Sequence, residues 1–361
     1  MKENKNILML GSDLSVKGGI VSVIKNYVEY SNWGNYNLKF IPTHKEGNKI
    51  YKILYFIIAL IKILFYVTKN NYHIIHIHVS ERGSIKRKRI IINMVKKISP
   101  SSKIVLHHHG AEFDKYYDNL SPSKKNAINN MLNKVDVNIV LSNRLISMIT
   151  SKEPNAKVEV LYNAVKTYKN NKYNNNGNNI LFLGRLGTRK GTYDFLEVVK
   201  ELKEIFIKKK IKVNLCGDGE IDKVKEYIKN NNLEKVTNHI GWIKPTEKEK
   251  IFSRTIINVL PSYNEGLPMT ILETMAYGIP NISTNIASIP EVIFNDNNGF
   301  IIEPGNKSEL KEKMMVLIND EEKRKKFSIK SKETIDEKFS LEKHITKLIE
   351  IYESLDEWWK N

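Results

Sequence analysis

Two doubly wound α/β domains are the fold class this sequence predicts, on three observations. Apolar runs of strand length alternate with helical patterns, one polar stretch interrupts the alternation, and the alternation then restarts. The first series of runs falls at residues 6–10, 38–41, 73–79, 103–106, 137–141 and 158–161. Residues 162–179 are rich in Asn and poor in apolar side chains, which reads as a linker. The second series falls at 180–183, 212–215, 236–240, 256–260, 281–283 and 299–302, and helices predicted at 307–318, 321–338 and 341–359 close the chain. The expected domains are therefore 1–165 and 180–340, joined by 166–179, and 361 residues suffice for a core in each. Sheets of this kind bind ligands beyond the carboxyl ends of their strands, so function is sought in the loops that follow strands, with the two domains expected to face one another across a cleft.

Composition narrows the partners. Residues 1–160 carry 25 Lys and Arg against 11 Asp and Glu, most of the net +18 of the whole chain. Such a field attracts anions: nucleic acid, anionic lipid or a phosphorylated acceptor. No helix-turn-helix, zinc-finger or RNP-like pattern is present, so no nucleic acid partner is expected. The single cysteine, Cys216, lies in an apolar strand-like run and reads as a buried residue in a reducing compartment. The first residues run into a strand without an apolar leader, which gives a cytoplasmic expectation. Residues 53–67 are the most apolar stretch. They fall short of the roughly 20 residues that cross a bilayer, so they are expected not to span. The stretch is apolar nearly all round, and its outer face needs a neighbour, either another helix or lipid. Lys49, Lys52, Lys62 and Lys69, with Lys86 to Arg89 and Lys96-Lys97, favour a peripheral contact with an anionic membrane surface.

The chemistry concentrates in a few loops. Glu265 and Glu273 flank Gly266-Leu267-Pro268, and Met269, Thr270 and the following residues carry a helical apolar stripe. Pro268 suits a first helical position, and the free amides of that helix start make an anion site beside Gly266. Eight helical residues span roughly 12 Å, too far for a glycosidase pair at about 5 to 9.5 Å. One acid at each end of an extended ligand fits better. Upstream, residues 180–191 form a strand, a Gly turn and two spaced cations, Arg185 and Lys190, before a helix; alone, these also suit a solvated loop. Cys216-Gly217-Asp218-Gly219 is a second strand-to-helix turn. Near the N-terminus Gly18 and Gly19 open a helix after the first strand, where a phosphate or sugar can approach the backbone. Strand 103–106 ends in His107, His108 and His109. Side chains alternate along a strand, so the three cannot close on one ion, and no metal site is expected. Glu112, Asp114 and Trp242 are weaker candidates for acceptor and base contacts.

Residues 262–280 resemble the E-x7-E motif of the retaining glycosyltransferases of family 4, which have the GT-B fold. Gly184-Arg185-Leu186 with Lys190-Gly191 is similar to the family's G-R-L-x3-K-G motif. The resemblance spans essentially the whole chain and implies two Rossmann-like lobes, with the last helix crossing back to the first. It also implies a nucleotide-diphosphate sugar donor, UDP-linked, and a glycan acceptor, lipid-linked as in surface polysaccharide assembly, with no metal or other cofactor. Under it Arg185 and Lys190 hold the diphosphate, Glu265 the sugar and Glu273 the ribose. His109 closes the site from the other domain, and Gly18, Gly19, Gly217, Gly266, Leu267, Met269 and Thr270 make donor contacts. Two other readings stay open: a different GT-B enzyme such as a nucleotide-sugar epimerase, and a non-enzymatic basic protein.

Overall fold

The structure, a computed structural model, describes residues 5–70 and 72–357. It divides into two compact units, Met1–Asn163 with Leu341–Asn361, and Ala164–Ser340.

The first unit is built on six parallel strands: β1 (Lys5–Ser12), β2 (Tyr36–His44), β3 (Tyr72–Val79), β4 (Lys103–His108), β5 (Val137–Val140) and β6 (Val158–Val160). Their spatial order is β2-β1-β3-β4-β5-β6. β1 is fully buried from Ile7 to Leu10, as an inner strand covered on both faces must be. Chain order reverses between β1 and β3, so this sheet's switch point lies beyond their carboxyl ends. Helices α1 (Gly19–Glu29), α2 (Lys49–Lys69) and α3 (Gly83–Ile98) follow the first three strands. Asn48 caps α2 by accepting from the Tyr51 amide at 2.9 Å.

The second unit holds β7 (Asn179–Leu183), β8 (Lys212–Cys216), β9 (Thr237–Gly241), β10 (Thr255–Leu260), β11 (Asn281–Thr284) and β12 (Gly299–Ile302), all parallel. The order β12-β11-β10-β7-β8-β9 is the 3-2-1-4-5-6 arrangement of a dinucleotide-binding sheet, with its switch point between β7 and β10.

Three expectations need correction. The Asn-rich segment is a strap on the second unit rather than a free linker: Asn171 Nδ2 donates to Ser328 Oγ at 2.9 Å, Arg324 Nε to Asn175 Oδ1 at 3.0 Å, and the Tyr173 hydroxyl to the Ile256 carbonyl at 3.0 Å. An Asn amide bonds water or protein equally well, so composition alone does not separate the two. The helix expected over 321–338 ends at Thr334 and passes into a π-helical turn, Ile335–Phe339, before Leu341–Glu357. This last helix belongs to the first unit, where the Tyr352 hydroxyl meets His76 Nδ1 at 2.6 Å; Trp358 and Trp359 lie outside the described residues. Finally, Pro268 is the cap residue, extended at φ −70° and ψ 119°, and the helix begins at Met269.

Candidate functional site

The second unit gathers its candidate residues at the switch point. β7 delivers Gly184, Arg185 and Leu186, β8 delivers Gly217 to Gly219, and β10 runs out through Pro261 and Ser262 towards Glu265. Backbone bonds join these loops: the Leu186 amide donates to the Asp218 carbonyl at 2.6 Å, the Glu220 amide to Leu186 at 3.0 Å, and the Tyr263 amide to Arg189 at 2.9 Å. Two glycines permit the approach. A Cβ on Gly217 would lie 1.8 Å from the Gly184 carbonyl oxygen, and one on Gly191, which has φ +71°, would lie 2.0 Å from that of Pro261. Gly217→Ala is therefore expected to separate the β7 and β8 loops and lower the unfolding temperature of the second unit, measurable by calorimetry. An unchanged transition would show that the loops yield without cost.

At the centre lies an ion pair 75 residues apart in sequence. Lys190 Nζ and Ser262 Oγ both donate to Glu265 Oε1, the serine at 2.8 Å. The two charged side chains are only 14% and 5% exposed. Burial lowers the Lys190 pKa, and the Glu265 carboxylate partly offsets this. The pair sits just ahead of the helix Met269–Tyr277, whose first amides, at Met269 and Thr270, have no carbonyl a turn earlier to bond. Gly266 and buried Leu267 connect the two, and the Ser288 amide holds the Gly266 carbonyl at 3.3 Å. Arg185 stays 65% exposed, with Asp218 Oδ2 3.7 Å away, so it is a solvent-facing cation at the rim with one weak partner. Glu273, a turn inside the helix, accepts from Lys248 Nζ of the helix Pro245–Phe252. Sequence reasoning missed Lys248, which stands in no distinctive pattern, and the bond made by Ser262, which opens the run 262–280 without marking itself as a partner of Glu265.

Gly18, Gly19 and His109 belong to the first unit. Gly18 has φ 141° and caps α1, and both glycines are exposed. Asp13, in the same loop, accepts from the Ser15 amide at 3.0 Å and from the Tyr55 hydroxyl of α2 at 2.9 Å. His109 follows β4, its Nε2 2.9 Å from His78 Nδ1, and its amide donates to the Val79 carbonyl at 2.8 Å. Burial pushes its pKa down to about 3, so the ring is neutral at pH 7. Glu112 is taken up by Arg82 at 3.1 Å and Asp114 by Lys152. Trp242 is exposed.

The histidines correct one piece of reasoning. Alternation does separate His107 from His108, yet it puts His107 on the same face as His76 and His78 of the neighbouring strand, with ring nitrogens within 4.8 Å of one another. The His-x-His spacing at 76 and 78 was the available signal. Both nitrogens of His76 are already engaged, by Tyr352 at 2.6 Å and by His107 Nδ1 at 3.2 Å, so a shared ion would have to displace them.

Two parallel six-stranded sheets in separate units make a two-domain α/β fold of the GT-B type, with a buried cation–carboxylate pair and a helix start at the second sheet's switch point. Residues 164–334 match the family model of glycosyl transferases group 1. Over 279 residues the chain is 28% identical to an uncharacterized glycosyltransferase of Methanocaldococcus jannaschii, covering 76% of this chain and 72% of that one. It is 26% identical over 289 residues to the UDP-Gal:alpha-D-GlcNAc-diphosphoundecaprenol alpha-1,3-galactosyltransferase of Escherichia coli, covering 73% and 70%. The structure of Anabaena HepE in complex with UDP superposes with a TM-score of 0.73 at 15% identity, covering 97% of this chain and 100% of that one. The family model and the relatives support a glycosyltransferase of the group 1 superfamily, and the structural likeness supports the GT-B fold.

Proposed function

We propose that the chain is a retaining, metal-independent glycosyltransferase of family 4, with Glu265 and Glu273 as its E-x7-E pair. It moves a hexose or N-acetylhexosamine from a UDP-sugar to a lipid-linked glycan at the cytoplasmic face of a membrane. The observation that carries this reading is the buried group of Lys190, Glu265 and Ser262 ahead of a helix start at the switch point. The Escherichia coli relative, named for a UDP-sugar and a diphospholipid acceptor, supports the donor and acceptor classes.

The leaving group gains negative charge as the bond from the sugar C1 to the diphosphate breaks. Lys190, Arg185 and the amides at Met269 and Thr270 neutralise that charge, the work a divalent ion would otherwise do. Both side-chain bonds to Glu265 end on Oε1, which leaves Oε2 for the sugar hydroxyls. The acceptor oxygen attacks C1 from the face the diphosphate leaves, and its proton passes to the departing phosphate oxygen. No enzyme nucleophile is needed. His109 is assigned to the donor sugar on the resemblance alone.

The test is a panel of nucleotide sugars offered to the purified protein with a chelator present, read by protection against thermal unfolding and by slow hydrolysis. One UDP-sugar is expected to protect and to release sugar of the donor's own anomeric form. No protection by any of the panel, or inverted product, would end the reading. An epimerase would convert the sugar nucleotide without releasing it. Glu273 should act in binding: Glu273→Ala is expected to raise the donor KM about tenfold with kcat little changed, as steady-state kinetics would show.

A further inference from the structure

We infer that α2 lies in the plane of an anionic bilayer and seats the first unit there through its outer apolar stripe. Only the membrane part of the proposed function is involved, not its chemistry. The buried side of α2 is narrow, Ala59, Ile63 and Val67. On the other side Ile50, Ile53, Leu54, Ile57, Ile58, Ile61, Leu64 and Phe65 are all exposed, Ile61 at 62%. These steps of three and four residues make a second helical stripe, about 22 Å long at 1.5 Å per residue. Scattered exposed apolar residues need no explanation, but a continuous stripe on a helix marks an interaction face.

Charge selects the occupant. α2 has four lysines and no acid; of these Lys49, Lys62 and Lys69 are exposed, and Lys52 pairs with Glu46 at 2.7 Å. Lys86 and Ile90 of α3 are also exposed, whereas Lys88 is buried against Thr43 and Lys96 is held by Asp136 at 2.7 Å. Lysines flanking an apolar stripe fit anionic headgroups above an acyl layer. A second copy of this chain would bring like charges together across a two-fold axis.

Spanning is excluded by topology rather than length. At 21 residues α2 is long and apolar enough to cross a bilayer, contrary to the expectation from residues 53–67. Yet it connects β2 to β3, which both pair in parallel with β1, so crossing would tear one strand from the sheet. The Tyr55–Asp13 bond then ties the seated helix to the loop that carries Gly18 and Gly19.

The test is co-sedimentation of the full chain with phosphatidylglycerol-containing vesicles and with pure phosphatidylcholine vesicles. Binding to the former is expected, weakened but not abolished by 0.5 M salt, and reduced at least tenfold in Ile57→Glu/Ile61→Glu. Both positions are exposed, so the variant should keep the native unfolding temperature and the donor hydrolysis rate, which separates this inference from the catalytic one. No vesicle binding, binding indifferent to the double substitution, or a dimer in light scattering that the substitution splits would each overturn it.

Discussion

Lys190→Ala is expected to lower kcat about 10²- to 10³-fold and also to destabilise the second unit. The first effect follows from removing one preorganised cation from the diphosphate, comparable with the loss of an oxyanion donor at about 2.7 to 4 kcal/mol. The second follows from Glu265, which is buried and would keep only the Ser262 hydroxyl. Breaking a buried pair by removing one partner costs about 3 to 5 kcal/mol, because the surviving charge is left uncompensated. Arg185→Ala separates the two effects. Arg185 is exposed with a single distant partner at 3.7 Å, so its removal should cost turnover and almost no stability. Kinetics and thermal unfolding of both variants decide the matter. Turnover unchanged in Arg185→Ala would remove it from the leaving-group role. Lys190→Ala that loses stability but keeps its kcat would make the pair structural.

The contrast between these cations shows what the sequence carried. Strand positions were legible because the inner strands of a parallel sheet must be apolar on both faces, so the runs at 6–10 and 256–260 stand out against their polar loops. The loops that follow β7 and β10 were legible as strand, glycine, cation or carboxylate. Their meeting was not: Lys190 and Glu265 become neighbours only through the crossover that sets β7 beside β10, and nothing local to either residue records that pairing. The same limit hid Lys248 behind Glu273, since helix-to-helix partners leave no short-range signature, and it hid the pairing of His76 with His107, though the His-x-His spacing marked the strand itself. Composition failed in a different way at 166–179, where a few polar residues of an exposed segment bond the second unit, and at α2, where counting from Ile53 missed the capped start at Lys49.

Acidification is expected to unfold the first unit before the second. His76, His78, His107, His108 and His344 are all buried there, whereas the second unit has only His239, which is partly exposed. Burial pushes these imidazoles down, His76 to about 3 and His108 and His344 to about 4, with His78 and His107 well below the ordinary value; neighbouring histidines and Lys88 add to the shift at His78. The hydrogen bonds fit neutral rings. His344 Nδ1 donates to the Tyr162 carbonyl at 2.6 Å, so its Nε2 accepts from the Tyr27 hydroxyl at 2.5 Å. The sign follows from which state takes the proton. In the unfolded chain each histidine titrates near 6.5, so above about pH 6.5 neither state binds protons and folding is unaffected. As the pH falls from 6.5 towards 4, the unfolded chain gains protons that the folded unit refuses, and stability declines by up to about 1.4 kcal/mol per group per pH unit. Five groups together cost on the order of 5 kcal/mol by pH 5.5, even after allowing for repulsion among them in the unfolded chain. That is comparable with the whole stability of an ordinary domain at about 5 to 15 kcal/mol. Hydrogen exchange, corrected for its intrinsic pH dependence, should show β3 and β4 losing protection between pH 6.5 and 5 while β7 and β10 keep theirs. His107→Gln should shift the loss to lower pH by removing one proton acceptor from the unfolded chain. Equal protection of both units across that window would mean that the histidine cluster accepts charge in place.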